Sequence, residues 1–180
     1  MRLMPNAHLL PYNGQRPHLG HDVLVASGAQ LIGDLTIGAE SSVWFNTVIR
    51  ADVQPIRIGC RTNIQDNSTI HVTAENGACT IGSDVTVGHG AIIHACTIED
   101  LCLVGMGAVI LDKAVIRHGC VVGAGAVVTQ GKEFPPRSMI IGSPARVVRQ
   151  LSDSEYAGLL QSAKHYIHVS RQYFGLAHLS

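Results

Sequence analysis

An aliphatic residue recurs every six positions along most of this chain, and that period alone excludes most folds. It runs Leu19, Val25, Leu31, Ile37, Val43, Ile49, then Ile58, Ile64, Ile70, then Ile81, Val87, Ile93, then Ile98, Val104, Ile110, Ile116, Val122 and Val128. A helix would need apolar residues at three- and four-residue steps, and a doubly wound α/β domain would need helical segments between its strands. Neither pattern occurs between positions 19 and 130. A six-residue unit cannot bury an apolar face by itself, so the array is predicted to stack as an all-β solenoid in which each unit is stabilised by its neighbours. Eighteen such units make about six coils of three short strands and three corners.

Small or medium residues recur four positions after the aliphatic one, as at Ala29, Ser41, Thr47, Thr62, Ser68, Ala91 and Ala108, and are expected to fill the interior beside it. Glycine often follows the aliphatic residue directly, as at Gly20, Gly38, Gly59, Gly82, Gly88, Gly105 and Gly123. These glycines are expected at corners that need their backbone freedom. The period breaks between Ile49 and Ile58, Ile70 and Ile81, and Ile93 and Ile98. Insertions in a solenoid become loops, often near a functional surface, and residues 74–79 have the composition of one.

The period predicts three regions: an N-terminal segment over 1–18, the repeat array over 19–148, and a helix with its tail over 149–180. Pro135–Pro136 is expected to end the regular coil. Ser152 and Glu155 then make a capping box, with Leu151 and Tyr156 placed as its hydrophobic staple. Tyr156, Leu159, Leu160, Ala163, Ile167 and Phe174 trace one apolar face of the helix.

Composition narrows the function. Lys plus Arg and Asp plus Glu both number 13, so a net charge of zero steers the 180-residue chain toward neither nucleic acid nor anionic lipid. No apolar run near the start is long enough for a signal peptide or a spanning helix, so a cytoplasmic location is expected. Five cysteines, Cys60, Cys79, Cys96, Cys102 and Cys120, form an odd set without a C-x-x-C pair and read as reduced packing thiols.

In this register Arg50, His71 and His94 each directly follow the third aliphatic residue of successive coils and share one edge. With coils about 4.8 Å apart, His71 and His94 can converge on one ion although 23 positions separate them. His89 falls on a different face, so a neighbouring subunit about a threefold axis would have to supply the third ring. Three imidazoles with an open position describe a catalytic metal site. His8, His18, His21, His118, His165, His168 and His178 read as ordinary surface or satisfied residues, and Trp44 and Phe45 as packing or subunit contacts. Ile141 to Arg146 reads as a turn that ends the coil.

Three blocks, Arg50-Ala-Asp52, Asn63 to His71 and Gly88 to His94, together resemble the γ-class carbonic anhydrases and their hexapeptide-repeat relatives. The likeness spans residues 8–150. It implies a left-handed parallel β-helix forming a homotrimer, and reversible hydration of carbon dioxide to bicarbonate by metal-bound hydroxide at the subunit interfaces. It also implies His71, His89 and His94 as ligands of one divalent metal per subunit, zinc by default with iron or cobalt as alternatives. Gln65 would position the attacking group or substrate, Asn63 would orient carbon dioxide, and Tyr166 would line the site from the helix. Arg50 and Asp52 look like the family's ion-pairing residues. Asp66 would either pair with Arg50 across a subunit boundary or orient His89. The family's long acidic loop after the first histidine is short here, leaving Glu75 as the available proton shuttle. Two other readings compete: acyl transfer or thioester hydrolysis on a coenzyme A substrate, and a non-catalytic trimer stapled by its metal.

Overall fold

The computed structural model describes residues 1–75 and 77–176, without the side chains of Phe174 and Leu176. Asn76 of the expected loop, the Phe174 side chain and His178 therefore lie outside the described residues. The aliphatic residues stack coil upon coil in parallel register as three buried columns. One runs Val25, Val43, Ile64, Val87, Val104, Val122 and Ile140. The second runs Leu31, Ile49, Ile70, Ile93, Ile110 and Val128. The third runs Ile37, Ile58, Ile81, Ile98, Ile116 and Phe134. Each of these residues is at most 5% exposed, so the columns form one continuous core.

The interior polar residues are satisfied by the next coil rather than by water. Ser41, Thr47, Thr62 and Ser68 donate to the carbonyls of Gly59, Gln65, Gly82 and Gly88 at 2.7–3.1 Å. A buried hydroxyl costs free energy unless it is bonded, and here the coil spacing puts a carbonyl within reach.

The solenoid is longer than the period suggests, with about eight turns instead of six. Strand Arg2–Leu3 pairs with Leu24–Val25, and His8–Leu10 pairs with Gln30 to Ile32. Leu3 and Leu9 in fact keep the six-residue step, but the turn at Tyr12–Gln15 and the surrounding prolines interrupt it before Leu19. At the other end Pro135–Pro136 does not stop the coil. Phe134 takes an aliphatic position, the prolines occupy a corner, and Ser138–Gly142 stacks on Val121–Val122. An antiparallel strand, Ala145–Gln150, then closes that end.

The glycines that follow the aliphatic residues have a different role from the one expected. Left-handed backbone occurs three positions after the column residue, at Asn46, Asn67, Asp84, Leu101 and Lys113 and at Gly90, Gly107 and Gly125. Gly38, Gly59 and Gly82 are instead required by close approach. A Cβ on Gly59 would lie 2.6 Å from the Gly82 carbonyl carbon and 2.6 Å from the Ser83 nitrogen, both backbone atoms of the next coil.

The helix Asp153–Leu176 lies on the first face. Ser152 N–H donates to Glu155 Oε2 at 2.9 Å and Glu155 N–H to Ser152 Oγ at 3.3 Å, the expected capping box. Arg149 holds the Glu155 carboxyl down at about 2, with the Ser152 bonds adding to the effect. Tyr156 rests on Gly119, its hydroxyl 2.7 Å from His118 Nε2 and its ring 4.5 Å beneath the Arg137 guanidinium. Leu159 and Ala163 are buried, whereas Leu160 is exposed. Tyr166 and Tyr173 meet Trp44 edge-on at 5.9 and 5.2 Å. No helix among the described residues is long and apolar enough to cross a membrane.

Gly59→Ala should destabilise the protein by roughly 1–3 kcal/mol, the usual range for overpacking, measured by denaturant unfolding. Because Glu155 is depressed in the fold from its ordinary 4.5 to about 2, its stabilising contribution is complete above 4.5 and is lost as pH falls between these values. Glu155→Gln should flatten acid unfolding in that window, read by far-ultraviolet circular dichroism.

Candidate metal centre

Parallel register aligns Arg50 with His71 and His71 with His94 on three successive coils. The result is a hydrogen-bonded column along one edge. Asp52 Oδ1 lies 3.1 Å from His71 Nε2, His71 Nδ1 lies 3.1 Å from His94 Nε2, and His94 Nδ1 lies 2.5 Å from Asp112 Oδ1. Arg50 closes the lower end on the second oxygen of Asp52. Burial alone would raise the Asp52 pKa, but its bonds from Arg50 and His71 outweigh that and hold it below the usual carboxylate range.

The hydrogens along this column limit what it can hold. Ionised carboxylates only accept, so the hydrogens sit on His71 Nε2 and His94 Nδ1. A neutral imidazole carries one hydrogen, which leaves the two facing nitrogens bare. Two lone pairs 3.1 Å apart repel unless a proton or a cation lies against both. Burial pushes the His71 pKa down more than its Asp52 bond raises it, which works against the proton. Two nitrogens each about 2.1 Å from one tetrahedral ion are separated by roughly 3.4 Å, close to what the pair presents. The residues therefore fit a metal ion.

His89 stands elsewhere. It follows strand Thr86–Val87 at the corner before Ile92–His94, with its Nδ1 2.7 Å from Asp66 Oδ2 on the preceding coil. Asp66 also accepts the Phe45 N–H at 3.3 Å. Within the chain Asp66 thus holds His89, and Arg50 pairs with Asp52. The His89 side chain is 49% exposed against 21% for His71. Among the described residues no three His, Cys, Asp or Glu side chains gather closely enough to hold an ion. The three histidines are divided between two edges of one face.

The His89 edge also carries Gln65, Asn63 and, from the helix, Tyr166. Gln65 Nε2 donates to Asn63 Oδ1 at 3.1 Å, Asn63 Nδ2 donates to Thr86 Oγ1 at 3.0 Å, and Thr86 Oγ1 is 3.0 Å from Ser162 Oγ on the helix. Beside this chain lies a hollow of about 220 Å³, lined by Gln65, Thr86, Gly88, Met106, Ser162 and Tyr166 among others. Burial pushes the Tyr166 hydroxyl above its ordinary value, with the Asp66 carboxylate adding to the effect. Glu75 is exposed in the turn between Thr73 and Gly77. A larger hollow of about 280 Å³ shares none of these residues, and its Glu99 is already engaged by Arg117 at 2.6 Å.

Sequence reasoning missed Asp112, Thr86, Ser162 and Met106. Asp112 was within reach of the same register, one coil beyond His94 on the same edge. Ser162 was not, because 76 positions separate it from Thr86 and only the docked helix joins them.

Comparison with known proteins places these observations. Residues 95–130 match the family model for the bacterial transferase hexapeptide (six repeats). The chain is 44% identical to γ carbonic anhydrase 2, mitochondrial, of Arabidopsis thaliana over 86% of its own length, and spans 58% of that protein. It is 40% identical to a carbonic anhydrase of Geobacillus kaustophilus, covering 93% of this chain and 92% of that one. A solved Bacillus cereus structure, provisionally named an acetyltransferase, superposes with a TM-score of 0.93 at 40% identity over 95% of this chain and 99% of that one. The solenoid thus has the left-handed hexapeptide-repeat fold.

Thr86→Val should leave the buried Asn63 amide without its hydroxyl partner and lower stability by about 1–3 kcal/mol, measured by urea unfolding. Ser162→Ala, which spares that bond, should lose less.

Proposed function

The chain belongs to the γ-class carbonic anhydrase family of hexapeptide-repeat proteins, and on that premise we propose that it hydrates carbon dioxide reversibly at metal sites shared between subunits of a homotrimer. The observation that carries the reading is the pair of bare imidazole nitrogens of His71 and His94, 3.1 Å apart on one edge, with His89 held at another. A threefold assembly would set the His71 and His94 edge of one subunit against the His89 edge of the next. Ile92, 45% exposed on the face between those edges, supplies apolar area for such a contact.

A divalent ion, zinc by default with iron or cobalt as alternatives, would supply at neutral pH a nucleophile derived from water. The chain's own residues do the rest. Asp52, Asp112 and Asp66 orient the three rings. Gln65, its amide nitrogen tied to Asn63, directs its polar end toward substrate, and the Asn63 amide is in turn held by Thr86. Tyr166 and Met106 line the hollow beside these amides. Glu75 is the carboxylate we assign to carrying the product proton outward. We place the protein in the cytoplasm, since its five cysteines are all free thiols, as a reducing compartment keeps them.

The name of the Bacillus cereus structure favours acyl transfer instead, and metal content separates the two. Anaerobically purified protein should hold one ion per subunit and hydrate carbon dioxide in a stopped-flow assay. His71→Ala, His89→Ala and His94→Ala should each lose both the ion and the activity. Ile92→Asp should yield a folded monomer that retains all three histidines but no metal. Folded wild-type trimer that takes up neither zinc, cobalt nor ferrous iron would overturn the proposal, and metal-free acyl transfer would favour its rival.

A further inference from the structure

The column along the histidine edge ends on a carboxylate that lies outside all three sequence blocks carrying the family likeness. We infer that this carboxylate, Asp112, is a positioning residue that sets which nitrogen His94 offers to the shared centre. The inference rests on the reading of His94 as a ligand. Asp112 Oδ1 lies 2.5 Å from His94 Nδ1, and a carboxylate can only accept there. The His94 hydrogen is therefore kept on Nδ1, and the lone pair of Nε2 points at His71 Nδ1, 3.1 Å away.

Without that acceptor the preference would run the other way. An unrestrained neutral imidazole favours its hydrogen on Nε2, which would place a donor where a lone pair is needed. The backbone holds Asp112 in place: its carbonyl accepts Gly131 N–H at 2.9 Å, and Lys113, next in sequence, takes the left-handed turn. Asp66 makes the same Nδ1 contact with His89 at 2.7 Å, so both rings leave Nε2 free. Carboxylates behind metal-binding imidazoles act in this way generally, and their loss weakens metal affinity by about 10- to 100-fold.

The test uses the full-length protein with Asp112→Ala, Asp112→Asn and His94→Ala. Long-range proton–nitrogen correlation spectra of the metal-free, nitrogen-15-labelled protein report the tautomer. Chelator competition reports the zinc dissociation constant. In wild type the His94 hydrogen should be on Nδ1. Asp112→Ala should move it to Nε2 and raise the zinc dissociation constant by about 10- to 100-fold, while the metal-free protein stays folded. Asp112→Asn, whose carbonyl can still accept, should recover part of the affinity. If His94→Ala loses zinc while Asp112→Ala keeps both the tautomer and the affinity of wild type, the inference alone is overturned. Zinc binding unchanged in His94→Ala would overturn the ligand reading, and the inference with it.

Discussion

Parallel hydrogen bonding between successive coils is the interaction on which everything else in this molecule depends. It sets the coil spacing at about 4.8 Å, and that spacing decides which side chains are tolerated at each position. Aliphatic residues meet their equivalents in the columns, and interior hydroxyls find the carbonyl of the next coil. Gly59 sits where a side-chain carbon would strike backbone. Because the strands of the middle coils pair only with those of neighbouring coils, stability and register come largely from the same contacts.

The candidate site uses that spacing for electrostatics. Two imidazoles at the coil repeat, each backed by a carboxylate from the coil beyond, leave two lone pairs facing one point. The arrangement is a preorganised place for positive charge, made from groups that lie 18 to 23 positions apart in the chain. The third histidine, with the amide chain and the hollow, is one edge away. On the proposed reading, a second copy of the chain completes the set.

How much of this the sequence revealed depends on whether a feature obeys the period. The three columns, and the alignment of Arg50, His71 and His94, follow directly from counting sixes. So does the separation of His89 from the other two. The extra coils escaped because a loop between Leu9 and Leu19 broke the count and because Phe134 replaced an aliphatic residue. Counting places the glycines but not their role: corner freedom belongs to residues such as Asn46 and Asn67, while Gly59 answers to the neighbouring coil. Ser162 could not be read at all, since its partner Thr86 is chosen by how the helix docks.

The column from Asp52 to Asp112 also restricts how such a chain can vary in length. It draws one level from each of four successive coils, so a coil of about eighteen residues added or removed between Asp52 and Asp112 would leave every remaining coil intact and still separate the partners. The same change at either end of the solenoid would disturb none of them. Growth is therefore free only at the first end, where Arg2–Leu3 begins the stack, because a coil added before Ala145–Gln150 would slide the helix off Thr86 and Trp44. The middle coils behave as a fixed ruler whose graduations are the residues of the site.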